Sequence, residues 1–381
     1  MPNYASRLRA VQEQMAAQGI DLLFLQRSAN LHYLTGIPRD EQNFGNTMYP
    51  GEWLTGAWIA PVRPPILTVP RMLADFHMNG IDGYDVRVLS DAADPASLAR
   101  DVLAALGISS APTIALDERA WAEMLLGVQA LRPEAQFRSA SPIMRPLRLI
   151  KDADELAIMR HAGEITAAAF RDVLPKLRHG MTTLDLITEV DYQLKRHGST
   201  APSFVTSFYN MGVNFPFAFT NREETENLPL AAPVSISFDF GAVYDGYCYD
   251  FGRSVFFGDP GAEYRTVHRL VMAAQAAGIA ALKQGNTCAQ ADAAARAVIT
   301  EGGYGEAFRH RLGHGIGMDV HEPPFLTATD HTVLREGMCF TAEPSIFIPH
   351  RLGARVEDVV VVRQNGGEPL TTGFQELHVV E

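Results

Sequence analysis

The sequence predicts an α+β protein of two domains, a smaller α/β domain over residues 1–142 and a larger one over 143–381 with an antiparallel sheet. Three observations lead there. At 381 residues the chain exceeds what a single core ordinarily organises. Helix and strand periods alternate through the first part and fall into blocks through the rest. Between the two lies 141–150, Ser-Pro-Ile-Met-Arg-Pro-Leu-Arg-Leu-Ile, with two prolines and no clear period, which reads as a linker.

The elements follow in order. Residues 4–19 carry Leu8, Val11, Met15 and Ala16 at helical spacing and stop at Gly19. A short buried strand follows at 20–25, then residues 31–36, then strand-like runs at 58–60 and 66–69. A helix at 97–106, a strand at 113–116 and a helix at 120–131 complete the first domain. In the second, Asp152, Asp154 and Glu155 place negative charge at the first turn of a helix that runs to about residue 177. The stretch 182–196 repeats the pattern, with Thr183 as N-cap and Leu184, Ile187, Val190 and Leu194 on one face. Two more helices are expected at 264–283 and 288–299, and strands at 234–240, 247–257, 338–348 and 354–362.

Composition narrows the function. A formal net charge of −12 argues against a nucleic-acid partner, because phosphate binding needs clustered Lys and Arg. No run reaches the roughly 18 apolar residues of a membrane span, and the amino terminus has no apolar core of a signal peptide. Cys248, Cys288 and Cys339 lie far apart with no CxxC pair, which fits a reducing compartment. The expected location is the cytoplasm.

Carboxylates in apolar strands carry the chemistry. Asp239 ends the run Val234-Ser235-Ile236-Ser237-Phe238, and Asp250 sits in the next β-rich run. Gly241 and Asp245-Gly246 supply turn residues between them, so the two acids are expected to face each other across a hairpin. Buried together they repel, unless a cation lies between them. Glu343 follows Met338-Cys339-Phe340-Thr341-Ala342, and Glu357 precedes Val359-Val360-Val361-Val362, so the anomaly recurs. His314 lies among Gly313, Gly315 and Gly317, where the backbone can approach a ligand closely, with His310 and His321 flanking it. One imidazole and four carboxylates balance two divalent cations. Hard oxygen donors with a single nitrogen suit Mn²⁺, and acceptably Co²⁺ or Zn²⁺. Two such ions can activate a bridging water and polarise a carbonyl for hydrolysis.

The blocks Asp239-Phe240-Gly241, Gly246-Tyr247 with Asp250, Gly313-His314-Gly315-Ile316-Gly317, His321-Glu322-Pro323, Thr341-Ala342-Glu343-Pro344 and Gly353-Ala354-Arg355-Val356-Glu357-Asp358 resemble the prolidase/aminopeptidase P/creatinase family. Arg148-Leu149-Ile150-Lys151 with Glu155 and Met159 resembles the start of that family's catalytic domain. The resemblance implies a "pita-bread" catalytic domain behind a creatinase-like one. It implies that Asp250 and Glu357 bridge two metals, that Asp239 completes one site and His314 with Glu343 the other. Glu343 would also carry protons, and His310, His321 and Arg355 would contact substrate or transition state. The implied activity is a Xaa-Pro dipeptidase or aminopeptidase acting on a small peptide. The alternatives are a small non-peptide substrate on the same scaffold, as in amide hydrolases and dimethylsulfoniopropionate lyases, and a non-catalytic binding protein. A homodimer is also implied, with Tyr49-Pro50-Gly51-Glu52-Trp53 read as a pocket-lining loop.

The chain departs from the family pattern in three places. No His occurs between His197 and His268, where the family's peptidases place a substrate-contacting one after Gly-x-Asn. Here Gly212-Val213-Asn214 is followed by Phe215, Phe217 and Phe219, with the acidic stretch 223–226 beyond. Gly252 stands at the family's usual Thr, and Ser345 at its usual Gly. The metal set is intact, so these departures are expected to narrow or shift the substrate.

Overall fold

The structure, a computed structural model, describes residues 3–39, 51–77, 83–213, 215 and 226–381. It divides into two compact units, Met1–Arg148 and Leu149–Glu381.

The first unit runs α1 (Tyr4–Gln18), β1 (Leu22–Leu25), α2 (Ala29–Thr35), β2 (Gly56–Ile59), β3 (Ile66–Pro70), α3 (Arg71–His77), β4 (Asp85–Leu89), α4 (Pro95–Leu106), β5 (Thr113–Leu116), α5 (Ala122–Leu131), β6 (Gln136–Ser139) and α6 (Ser141–Leu149). Its sheet has the order β4-β3-β2-β1-β5-β6, antiparallel at β1–β2 and β2–β3 and parallel elsewhere. β1 is buried along its whole length, which its unbroken apolar run requires. The core gathers Phe24, Trp58, Val102, Leu103 and Ile114. Trp53, of the segment read from sequence as lining a pocket, packs on α5 of its own unit, where a Cβ on Gly127 would lie 2.6 Å from its ring. Tyr49 and Pro50 of that segment lie outside the described residues. The stretch read as a linker is also corrected, because it is helix α6. Pro142 falls in the first turn, where its missing N–H has no helical partner to lose, and only Pro146 sits inside the helix.

The second unit opens with α7 (Ala153–Val173) and α8 (Thr183–Arg196). Asp152 and Glu155 form a capping box on α7. On α8 the N-cap is Thr182, paired with Asp185, and not Thr183. Thr183 is buried and accepts a hydrogen bond from Asn210 Nδ2 at 2.6 Å. There follow β7 (Ser207–Met211), β8 (Val234–Phe240), β9 (Val243–Tyr244), β10 (Tyr247–Cys248), β11 (Phe251–Phe257), α9 (Gly261–Ala281) and α10 (Cys288–Glu301). The rest is strand: β12 (Gly313–Gly315), β13 (Glu322–Leu326), β14 (Cys339–Ala342), β15 (Ser345–Ile348), β16 (Leu352–Arg355), β17 (Asp358–Arg363), β18 (Gly366–Pro369) and β19 (His378–Val380).

Two sheets organise this unit, ordered β19-β11-β8-β7 and β13-β12-β14-β17-β18, antiparallel except for β11–β19. Each holds a long hairpin interrupted midway. β8 pairs with β11 as far as Phe240↔Phe251, and the same register resumes at Val243↔Cys248 in β9–β10. β14 pairs with β17 as far as Ala342↔Asp358, and the same register resumes at Ser345↔Arg355 in β15–β16. The strands expected to be continuous over 247–257, 338–348 and 354–362 are therefore each split. The interruptions fall at Asp250, Glu343 and Glu357.

The sheets join at these interruptions. Gly252 N donates to Glu357 O at 3.3 Å, and Glu357 N returns a bond to Gly252 O at 2.9 Å. A Cβ on Gly252 would lie 2.9 Å from Glu357 Cβ and 3.0 Å from its Oε2, so only glycine admits this approach without displacement.

Candidate metal centre

The joint between the sheets brings the predicted donors together. Asp239 is the last residue but one of β8, opposite Gly252, and Asp250 lies two residues from Gly252, so both acids project from one face of the first sheet. His314 comes from β12, and Glu343 and Glu357 from the interrupted hairpin of the second. All five side chains are buried. Donor atoms of Asp250, His314 and Glu357 lie within 4.8 Å of one another. His314 Nε2 is 3.5 Å from Glu343 Oε1 and 3.7 Å from Asp250 Oδ2.

The protonation pattern of these atoms follows from their burial and their neighbours. His314 Nδ1 lies 3.1 Å from the Gly315 carbonyl, which assigns the proton to Nδ1 and the lone pair to Nε2. Burial, helped by His321, lowers the His314 pKa to about 3, so the ring is neutral. Its lone pair then faces two carboxylates. Asp250 Oδ1 and Glu357 Oε2 are buried without a hydrogen-bond partner among the described residues. Burial, and then repulsion from Asp239 and Glu343, raises the Asp250 pKa well above the carboxylate range. Burial, and then Asp250 and Glu343, does the same to Glu357. Glu343 is raised to about 7, by burial against the opposing pull of Arg355. Buried donors that converge in this way, two of them without a hydrogen-bond partner among the described residues, fit a cation, and the hard oxygen-rich set fits a divalent one.

Arg355 is the centre's own counter-charge. Its Nη1 lies 2.7 Å from Asp239 Oδ2 and 4.0 Å from Glu357 Oε2, and its Nη2 lies 3.5 Å from Glu343 Oε2. Burial opposes the charge, but Asp239, Glu343 and Glu357 outweigh it and raise the pKa further. One guanidinium faces four carboxyl groups, too little positive charge to balance all four when ionised.

His310 is tied into this frame. Its Nδ1 lies 2.7 Å from the Arg311 carbonyl, and its Nε2 meets the Ser345 hydroxyl, with Arg355 Nη2 at 3.4 Å. Burial and the neighbouring Arg355 lower its pKa to about 3. Ser345, at the family's usual Gly, thus closes a hydrogen bond that glycine cannot make. His321 is exposed and stands edge-on to His314, ring centroids 4.2 Å apart. Its turn is held by Glu322, which accepts from Asp319 N at 3.0 Å and pairs with Lys151 Nζ at 3.3 Å.

Sequence reasoning missed three contributors. Tyr209, on the unpredicted strand β7, hydrogen-bonds Asp239 and stacks on Phe347, with ring centroids 5.2 Å apart. Arg355 lies over both rings, 4.8 Å from the first and 5.6 Å from the second. Thr341 donates to Glu343 Oε1 at 3.3 Å and accepts from His314 N at 3.0 Å, fixing two donors at once. The run Ser207-Phe208-Tyr209-Asn210-Met211, aromatic and ending at Gly212, was the available signal for β7. Of the phenylalanine-rich segment, Phe215 is buried, while Asn214, Phe217, Phe219 and Glu223 to Thr225 lie outside the described residues.

Comparison with known proteins agrees with this geometry. The model of metallopeptidase family M24 matches residues 157–364, and that of the creatinase/prolidase N-terminal domain matches 7–150. A Xaa-Pro dipeptidase of Lactobacillus delbrueckii subsp. lactis is 31% identical over 384 residues, covering 98% of each chain. A dipeptidase structure from Pyrococcus horikoshii OT3 superposes with a TM-score of 0.87 at 29% identity, covering 98% of this chain and 100% of the other. A recombinant prolidase from Thermococcus sibiricus gives a TM-score of 0.88 at 26% identity, covering 100% of both.

Proposed function

The chain belongs to metallopeptidase family M24, with a creatinase-type N-terminal domain and a pita-bread catalytic domain, and from that premise we propose that it is a two-metal Xaa-Pro dipeptidase. The observation that carries the metal part is the neutral His314, whose Nε2 lone pair converges with the buried carboxyl groups of Asp250 and Glu343 at 3.7 and 3.5 Å. The relatives' activity supports the substrate class.

Asp250 and Glu357 would be shared between two divalent ions, Asp239 would complete one site, and His314 with Glu343 the other. Mn²⁺ suits this donor set best. When bound, such ions polarise a carbonyl and make water nucleophilic near neutral pH. The protein does the rest. A Glu343 carboxylate oxygen takes a proton from the attacking water and returns it to the leaving proline nitrogen. Arg355, held flat by Tyr209 and Phe347, orients Asp239 and opposes the rise that burial imposes on its pKa. His310 accepts from Ser345 and steadies Arg355, which makes it a positioning residue. His321, the exposed imidazole beside His314, is placed to meet substrate. A homodimer and a cytoplasmic location complete the reading. The three buried cysteines, none in a disulfide, fit a reducing compartment, and among the described residues no helix is long and apolar enough to cross a membrane.

The test is hydrolysis of Ala-Pro, Ala-Ala and Ala-Pro-Ala by protein stripped with chelator and reloaded with Mn²⁺, Co²⁺ or Zn²⁺. Expected are cleavage of Ala-Pro above the others, its loss on chelation and its return with Mn²⁺. Metal-loaded protein inert toward all three peptides would overturn the reading.

A further inference from the structure

A buried guanidinium lies behind the donor set, on the far face of the first sheet. Arg253 follows Gly252, which pairs with Asp239 in β8–β11, so the alternation of strand side chains turns Arg253 away from the metal donors. All five of its N–H groups are engaged. Nη1 donates to Gly252 O at 2.7 Å and to Glu357 O at 2.6 Å, one on each side of the joint between the sheets. Nη2 donates to Asp358 Oδ1 at 2.7 Å and to Gly373 O at 3.1 Å, and Nε donates to Phe374 O at 3.1 Å. The guanidinium also lies over Phe251, 4.3 Å from the ring centroid.

Asp358 carries the chain of bonds onward. Its Oδ2 accepts from Gln275 Nε2 on α9 at 2.9 Å, and the same nitrogen donates at 3.1 Å to Ala342 O, one residue before Glu343. One network thus holds the backbone beside Asp250, Glu357 and Glu343. Its other end is the carboxyl-terminal segment. Phe374 has a left-handed φ of 57°, which a bulky residue takes only where its surroundings hold it. In that turn the carbonyls of Gly373 and Phe374 both reach Arg253. The Phe374 ring stands edge-on to Phe170, centroids 5.0 Å apart, and the Thr371 and Tyr249 hydroxyls bond at 2.6 Å.

Asp250 and Glu357 belong to different sheets, and a cation shared by them needs their carboxylates at a fixed separation. The backbone bonds between Gly252 and Glu357 set that separation, and one of them is long, at 3.3 Å. Resting on the metal part of the reading above, we propose that Arg253 is a positioning residue that sets the affinity of the centre for divalent cations, with the turn at Gly373 and Phe374 holding it in register. Its planar fork grips both sides of the joint at once, which the single nitrogen of a lysine cannot reproduce. The carboxyl-terminal segment supplies none of the proposed donors, yet through Arg253 it acts on two of them.

The test is calorimetric titration of chelator-stripped full-length protein with Mn²⁺, for the native chain, Arg253→Lys and Phe374→Ala, each well below its metal-free melting temperature. Arg253→Lys is expected to bind Mn²⁺ about 10- to 100-fold more weakly, the range for groups that orient metal ligands from behind. Phe374→Ala, which keeps the guanidinium and loosens its turn, is expected to fall between the two. A residue that served the fold alone would lower the metal-free melting temperature and leave the Mn²⁺ affinity of the folded protein unchanged. That result in Arg253→Lys overturns the proposal, and in Phe374→Ala it overturns the role of the turn. Should Arg253→Lys not fold, Phe374→Ala decides alone, and native affinity there overturns the whole. A native protein that binds no Mn²⁺ overturns the metal reading and this proposal together. Hydrolysis of Ala-Pro is followed in parallel. Arg253-dependent Mn²⁺ binding without cleavage by the native protein would keep the positioning role and remove the dipeptidase reading.

Discussion

At the scale of single residues, the centre is a set of buried acids that burial and mutual repulsion make hard to ionise. Asp250 and Glu357 have pKa values raised first by burial and then by neighbouring carboxylates. In the unfolded chain both titrate near 4, roughly the ordinary carboxylate value. The native state therefore holds these protons more tightly than the unfolded state. The stability of metal-free protein is then greatest below the unfolded values and falls as pH rises through the raised native ones. Replacing Asp250 with Asn removes one charge from the cluster. At pH 8 and without metal, the variant is expected to melt higher than the native protein, by about 1–3 kcal/mol of relieved desolvation. That difference closes near pH 4. With Mn²⁺ the order reverses, because only the native protein gains stability from binding. Thermal melts at both pH values, with and without Mn²⁺, check all three statements, and an Asn variant less stable at pH 8 without metal would remove the electrostatic account.

At the scale of elements, the donors sit where strands stop. Gly252 and Glu357 exchange backbone bonds across the sheet joint, and a Cβ on Gly252 would meet Glu357 and, at 3.2 Å, Arg355 Cδ. Gly252→Thr, the residue usual in the family, is thus expected to push Glu357 aside here. It should destabilise the unit by about 1–3 kcal/mol, the usual cost of overpacking, and weaken Mn²⁺ binding. Metal titration by calorimetry reads the second effect, and an unchanged affinity would mean that Glu357 relaxes freely. Much of this architecture was legible beforehand. The strand Val234–Phe240 follows from its apolar alternation, and α7 from the acids at its start. The five donors stood out because charge is costly in apolar strands. The break at Asp250 was not legible, because the strong β-formers Tyr249 and Phe251 flank it and local preference runs straight through, whereas Pro344 after Glu343 and Asp358 after Glu357 were signals that the continuous-strand reading passed over. The Ser345–His310 bond and the seat of Arg355 on Tyr209 and Phe347 were hidden for another reason. They join segments far apart in sequence, and only sheet pairing brings them together.

At the scale of the whole molecule, every proposed metal donor lies between Asp239 and Glu357, inside Leu149–Glu381. That unit has its own core, including Val271, Phe340, Ile346 and Val360. Expressed alone, residues 149–381 are expected to melt cooperatively and to show an Mn²⁺-dependent rise in melting temperature. A folded fragment indifferent to Mn²⁺, beside a full chain that responds, would move part of the site into the first unit. The scattering of the donors also bears on how the protein matures. No two of them form a compact chelating loop, and Asp239 and Glu357 meet only after both interrupted hairpins have closed and joined through Gly252. An unfolded chain therefore offers the ion nothing to grasp, and closing such distant segments is the slow part of folding. On the proposed reading the ion would come last, to a pocket already shaped by hydrogen bonds and apolar packing. In a cell short of Mn²⁺ the finished apoprotein would accumulate folded and idle, a reserve that a later influx of metal could switch on without new synthesis.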